Sequence, residues 1–288
     1  MILNYIHWNL DPEIINIFGI SIRYYGLLFV SGIILCIYIL GWIYKRENIP
    51  SENLEKLSIY GMIGILVGAR LGHCLFYEPD YYLSHSLEMI LPIKFLIGGG
   101  IKFIGYQGLA NHGGALGLII ALIIYSRKTK HPILDSLDLI AVVAALGGGF
   151  IRLANLMNSE IIGMATTKPW GFIFERVDSI PRHPAQLYEA LTYFLIFVIT
   201  ITLYKTKREY LKNGFFFGLT LVLIFTARFF IEFIKERQVA FEENMQLDMG
   251  QVLSFPYIII GLGFIIYGIQ KTRKSIKLSA TLSTNRKK

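Results

Sequence analysis

The sequence predicts an all-α, polytopic membrane protein of seven transmembrane helices, and three observations carry that expectation. Hydrophobic residues fill 54% of the 288 positions and charged residues only 17%, more apolar material than one soluble core of that length hides. Apolar stretches recur at the roughly 17–25 residues needed to cross a hydrocarbon core of about 30 Å. Lysine and arginine gather in alternate loops, the asymmetry that orients a chain in a bilayer.

Taken in order, Tyr5, His7, Trp8 and the Asp11-Pro12 pair form an outer interfacial arm before the first span. This N-terminus has no basic region and small-residue cleavage site, so the first span is expected to stay as an anchor. Spans are expected at residues 20–44, 57–77, 137–157, 185–204, 215–234 and 252–269, with a shorter one at 111–126. If the N-terminus is outside, the inside loops hold Lys45, Arg46 and Lys56, then Arg127, Lys128 and Lys130, then Lys205, Lys207, Arg208 and Lys212. Outside loops are poorer in Lys and Arg, and Glu88, Asp178, Glu242 and Asp248 offset what they have. The C-terminus is therefore cytoplasmic. Residues 1–272 form the transmembrane domain, and 273–288 a basic, disordered tail. Much of the net charge of +8 lies beyond the last span, where attraction to anionic lipid explains it and nucleic acid does not. Cys36 and Cys74 fall within apolar spans without metal-like spacing, so neither a disulfide, a metal nor a cofactor is expected.

Polar residues inside such spans need a reason, because a central arginine costs about 2.5–3.5 kcal/mol on insertion scales. Residues 147–163, GGGFIRLANLMNSEIIG, put Arg152, Asn155, Asn158 and Glu160 in a glycine-bracketed run. At 100° per residue, Arg152 and Asn155 are neighbours and Glu160 shares their broad face, which predicts a polar pocket wall. The short span follows a glycine-rich stretch at 98–114, expected to dip into a protein-lined cavity. There Asn111 is the expected N-cap, and His112 is either a dipole-facing neutral base or a structural histidine. Arg228 and Glu232, four apart, form either a structural ion pair or part of an anion site. Arg70, between Gly68 and Gly72, carries the same two readings. Gln186, Tyr188 and Glu189 open the fifth span, lining the cavity or capping and anchoring the helix. Three arginines and a helix N-terminus together suit phosphate.

In order, Arg23-Tyr-Tyr25-Gly-Leu27, Gly68-Ala-Arg70-Leu-Gly72, His112-Gly-Gly-Ala-Leu-Gly117, Arg152-Leu-Ala-Asn155 with Asn158, Glu160 and Gly163, Arg182-His-Pro-Ala-Gln-Leu-Tyr-Glu189, Arg228 with Glu232, and Met249-Gly-Gln-Val-Leu-Ser254 resemble bacterial prolipoprotein diacylglyceryl transferases. The resemblance runs from the first span to the last. It implies seven helices around a central lipid-binding cavity in the bacterial cytoplasmic (inner) membrane. It also implies transfer of the diacylglyceryl group of phosphatidylglycerol to the lipobox cysteine thiol in a prolipoprotein signal peptide. His112 matches the family's essential histidine, and Arg152 and Arg228 match arginines expected to grip the phosphate. Asn155, Asn158 and Glu160 are then expected to orient the headgroup or Arg152, Glu232 to hold Arg228, and Tyr25 to aid proton transfer or binding. Two positions depart from the pattern: Ala154 replaces a usual glycine, and Lys235 a usual arginine. The rival expectations are an anion or phospholipid transporter and an intramembrane hydrolase. No strong inverted repeat supports the first, and no Gly-x-Ser-Gly run the second.

Overall fold

The computed structural model describes residues 5–17, 20–91, 93–95, 99–103, 108, 110–237 and 246–285. The glycine-rich stretch at 98–114 is described only in part, and Glu242 and residues 286–288 of the basic tail lie outside the described residues. In chain order come β1 (Ile6–Trp8), β2 (Glu13–Ile17), β3 (Ile20–Arg23), α1 (Tyr24–Arg46), α2 (Ser51–Phe76), α3 (Pro79–Ser84), α4 (Ser86–Ile90), β4 (Ile93–Phe95), β5 (Ile101–Phe103), α5 (Asn111–Thr129) and α6 (Ile133–Met157). Then follow β6 (Phe172–Phe174), β7 (Pro181–Arg182), α7 (Ala185–Lys207), α8 (Phe215–Glu232) and α9 (Met249–Asn285). Among the described residues six helices are long and apolar enough to cross a membrane: α1, α2, α6, α7, α8 and residues Met249–Lys274 of α9. Helices dominate as expected, and the multi-pass reading stands. Among the described residues three small sheets depart from a purely helical plan, because strands of two to five residues leave too short a pattern to read.

The chain divides into two compact units, one of residues 1–40 and 137–288 and one of 41–136. In the first, β1 pairs in parallel with β6, and β6 pairs antiparallel with β7. Trp8 donates its indole N–H to the Leu156 carbonyl at 3.1 Å and packs against Leu156, Ile162, Phe172 and Phe174. The N-terminal arm is thus tied to the C-terminal end of α6. Helices α6, α7 and α8 are joined by hydroxyl bonds, Thr200 to the Val142 carbonyl and Thr220 to the Ala141 carbonyl, both 3.1 Å. Such bonds suit a bundle where lipid offers no competing partner. Gln251 reaches back to the Asp248 N–H at 3.0 Å, half of a capping box at the start of α9.

In the second unit α2 and α5 pack closely through facing glycines. A Cβ at Gly64 would stand 2.6 Å from the Gly117 oxygen, and one at Gly72 2.8 Å from the Gly113 Cα, so only glycine lets these backbones meet. Strands β4 and β5 form an antiparallel hairpin, and Gly99 and Gly100 between them take positive φ, the freedom glycine supplies.

Two local expectations are corrected. The N-cap of α5 is Ala110, in extended conformation and without a side-chain cap bond, so Asn111 is the first helical residue. Ala110 is held there because its N–H donates to the Ala69 carbonyl at 2.9 Å, a tertiary bond that local sequence does not reveal. Residues 273–285, expected to be disordered, continue α9, since no glycine or proline interrupts them.

Candidate active site

The polar run at the end of α6 becomes a site by leaving the helix. Helix α6 ends at Met157, and Ser159 and Ile161 then adopt positive φ of 55° and 60°, strained for side-chain-bearing residues. That turn brings Glu160 back toward Asn155, so the expected shared helix face is corrected to a helix plus a reversing turn. Arg152 donates from Nη1 to Asn155 Oδ1 at 3.3 Å. Asn155 donates from Nδ2 to Glu160 Oε1 at 2.7 Å, and Asn158 reaches the same oxygen at 3.4 Å. A cavity of about 450 Å³ is lined by Ser21, Arg23, Tyr25, Gly26, Asn158 and Glu160. Tyr25 therefore joins this network although it begins a different helix.

Helix α7 supplies the other wall. Its N-cap is Pro184 with no side-chain cap bond, which leaves Gln186 and Glu189 free of capping. Gln186, fully buried, donates to the Glu160 carbonyl at 2.6 Å and so holds the turn. Glu189, also fully buried, stands 2.9 Å from Arg152 Nε through Oε2 and 3.6 Å from Lys235 Nζ through Oε1. Neither oxygen is aligned for a hydrogen bond, so these contacts are Coulombic rather than directional. Tyr188 accepts the Trp170 indole N–H at 2.9 Å and meets His183 Nδ1 at 3.2 Å. Burial, and then Lys168, hold the His183 imidazole below its usual pKa, so its neutral ring can accept the Tyr188 hydroxyl proton.

The third wall comes from α8 and the segment after it. The expected Arg228–Glu232 pair is corrected: among the described residues no ion pair joins them, and Glu232 instead meets Lys235 at 3.3 Å. Arg228 Nε is buried without a hydrogen-bond partner. Gly250 makes room for this carboxylate, since a Cβ there would stand 2.6 Å from the Glu232 side chain. Tyr193 lies within electrostatic range of Glu189, Arg152 and Arg228, linking the walls. Arg237 pairs with Asp248 at 2.8 Å. Lys235 is 6% exposed and lies between two carboxylates, a placement that spacing along the chain does not mark. Its one legible signal was a cation three residues beyond Glu232.

Lys235 is aimed by backbone pairing. Gly163 forms a bridge with Lys235, and Met164 N–H donates to the Ile234 carbonyl at 2.9 Å. A Cβ at Gly163 would meet the His183 oxygen at 2.5 Å and the Ile234 oxygen at 2.8 Å, and backbone cannot swing aside. Gly163→Ala is expected to separate the strands, displace Lys235 and lower turnover at least about tenfold, as misplacement of a positioning group does. Turnover near the wild-type rate would show that the bridge is dispensable.

Two expected site residues belong to the other unit. Arg70 is buried and committed to main chain, donating to the carbonyls of Glu88 at 2.6 Å and Met89 at 3.2 Å, with its guanidinium 4.9 Å from the Tyr82 ring centroid. Those contacts clamp α2 to the end of α4. His112 is the second residue of α5 and is exposed.

The family model described as prolipoprotein diacylglyceryl transferase matches residues 12–267. A phosphatidylglycerol–prolipoprotein diacylglyceryl transferase of Bacteroides fragilis is 57% identical over 270 residues, covering 93% of this chain and 98% of the relative. Proteins of the same name from Tolumonas auensis and Chloroherpeton thalassium are 44% and 40% identical, covering 88% and 94% of this chain and 94% and 97% of the relatives. With the match running almost end to end, the chain belongs to the prolipoprotein diacylglyceryl transferase family.

Proposed function

We propose that this protein transfers the diacylglyceryl group of phosphatidylglycerol to the thiol of a lipobox cysteine in a prolipoprotein signal peptide, the first step of bacterial lipoprotein maturation. The observation that carries this reading is the buried Arg152–Glu189–Lys235–Glu232 chain beside the unpartnered Nε of Arg228. A buried guanidinium nitrogen without a partner is costly, and a phosphate oxygen satisfies it. In the reaction a sulfur–carbon bond forms as the glyceryl carbon–oxygen bond breaks. The thiol proton passes to a base, and the leaving glycerol phosphate keeps the electron pair. Negative charge thus grows on the phosphate, where fixed cations act most strongly.

Arg152 and Arg228 grip that phosphate. Asn155, Asn158 and Glu160 orient Arg152 and the headgroup, and Tyr25 faces the same cavity. Gln186 braces the turn that carries Glu160, while Tyr188 stands in the chain from Trp170 to His183. Glu232 acts through Lys235. His112, in the first turn of α5, is the candidate base for the thiol, supported by the resemblance of its His-Gly-Gly sequence. Arg70 contributes the clamp described above and remains only a candidate ligand for the headgroup. Neither Cys36 nor Cys74 follows a lipobox-like run, so the acceptor thiol comes from the partner protein.

The proposed topology has seven spans in the bacterial inner membrane, N-terminus outside and C-terminus in the cytoplasm. Helix α5, with 19 residues, reaches about 28 Å at 1.5 Å per residue and supplies the seventh. The basic ends of α1, α5 and α7, carrying Lys45 and Arg46, Arg127 and Lys128, and Lys205 and Lys207, support that orientation.

The decisive assay incubates the purified protein with phosphatidylglycerol and a lipobox peptide, beside its Cys→Ser control. The expected result is a diacylglyceryl mass gain on the cysteine peptide alone. Folded protein that yields no gain would overturn the proposal, and transport of an anion without modification would favour the transporter.

A further inference from the structure

The cavity of about 450 Å³ is bordered by a cation, Arg23, that takes no part in the phosphate grip. Ser21 and Arg23 of β3 line it together with Glu160, from the turn after α6. Alternation along a strand puts Ser21 and Arg23 on one face, and Ile22 stands exposed on the other. Asn16 of β2 braces the polar face by donating to Ser21 Oγ at 3.1 Å, and Arg23 is paired in register with Glu13. Among the described residues no side-chain hydrogen bond or ion pair engages the exposed Arg23 guanidinium. Glu160 is half committed. The Asn155 and Asn158 amides hold its Oε1 at 2.7 and 3.4 Å, and Oε2 has no partner among the described residues. A donor-only cation and an acceptor-only carboxylate thus share one cavity without pairing to each other.

We infer that Arg23 is a specificity-determining residue that, with Glu160, reads the terminal glycerol diol of phosphatidylglycerol in this cavity and turns away an ethanolamine headgroup. This rests on the reading of the protein as the transferase. A hydroxyl both donates and accepts, so a diol serves Glu160 Oε2 with its hydrogens and Arg23 with its lone pairs. An ammonium donates only. It meets Glu160, leaves the Arg23 donors unmet and brings a second cation beside the first, the repulsive element that discrimination between similar ligands uses. A free anion is disfavoured for the opposite reason, since it faces the Glu160 carboxylate. The cavity is also tied to the phosphate grip, because Asn155 bonds to both Glu160 and Arg152. Phosphate and glycerol of one headgroup are therefore read by linked groups.

The test gives the full-length protein a lipobox peptide and mixed micelles holding equal amounts of phosphatidylglycerol and phosphatidylethanolamine. Mass spectrometry counts the glycerol phosphate and ethanolamine phosphate released, and their ratio reads headgroup choice. The wild-type protein is expected to favour the glycerol lipid by at least about 100-fold, as a site built to bond hydroxyls does. Arg23→Gln is expected to lower the ratio at least about tenfold, and Arg23→Glu to lower it further, because each step removes repulsion from the ammonium. Arg23→Lys keeps the charge and should hold the ratio within about threefold of the wild-type value. Thermal unfolding in detergent should be the same for all four proteins, since no folded-state contact of the side chain is lost.

An unchanged ratio in Arg23→Gln and Arg23→Glu would overturn the inference even if total turnover fell, because a purely structural Arg23 slows both lipids alike. Equal use of the two lipids by the wild-type protein would overturn it too, as would a ratio in Arg23→Lys as low as in Arg23→Gln. If Arg23→Glu does not fold, the comparison of Arg23→Gln with Arg23→Lys decides. If neither lipid modifies the peptide in the wild-type protein, the transferase reading itself fails.

Discussion

Arg228→Ala is expected to lower turnover by about 100- to 1000-fold, the loss that follows removal of one preorganised donor from a developing anion, while thermal stability changes little. The separation follows from its place in the resting site, where Nε has no hydrogen-bond partner and no folded-state bond is lost there. Arg152→Ala is expected to lose a similar factor and also destabilise the protein. Removing that guanidinium takes away the 2.9 Å partner of the fully buried Glu189 and leaves Lys235 as its neighbouring cation. Single-turnover kinetics on a lipobox peptide measure the first effect, and unfolding in detergent measures the second. Normal turnover in both variants would remove the arginines from the mechanism.

The second large effect lies at the opposite end of α6. Asp138, fully buried, pairs with Arg208 at 3.3 Å and accepts the N–H groups of Gly214 at 2.9 Å and Phe217 at 3.0 Å. One carboxylate therefore neutralises the last turn region of α7 and satisfies the first free N–H groups of α8. The chain reaches that point through Asn213 and Gly214, both at positive φ, so the turn depends on this anchor. Asp138→Ala removes this carboxylate from Arg208 and leaves two N–H donors unmet, an expected cost of about 1–3 kcal/mol for each donor. Asp138→Asn keeps an acceptor oxygen and should cost less. Thermal unfolding and limited proteolysis of the loop before α8 compare the two. Equal stability in both variants and the wild type would show that the carboxylate is not the anchor.

Much of this is legible in the sequence. Arg152, Asn155 and Glu160 stood out because charge among apolar residues is costly, and the structure brings the three together. Their linkage was legible only as a shared face, because the positive φ of Ser159 and Ile161 has no signature in residues other than glycine or asparagine. Glu189 was an open choice between cap and cavity. The buried contact with Arg152 favours the cavity, and the partner lies on another helix. Lys235 read as a conservative departure, since its two carboxylates come from elements distant in sequence.

The sequence by itself determined the class of the molecule, its multi-pass character and its family. Those follow from apolar length, loop charge and ordered motifs, all of which are local or additive along the chain. Only the tertiary structure decided which charges neutralise which. It committed Arg70 to main-chain carbonyls, gave Glu232 to Lys235 rather than Arg228, and left a guanidinium nitrogen unpartnered. Ion pairs act through space over a few ångströms, so their pairing depends on how the helices pack, which one-dimensional spacing does not specify.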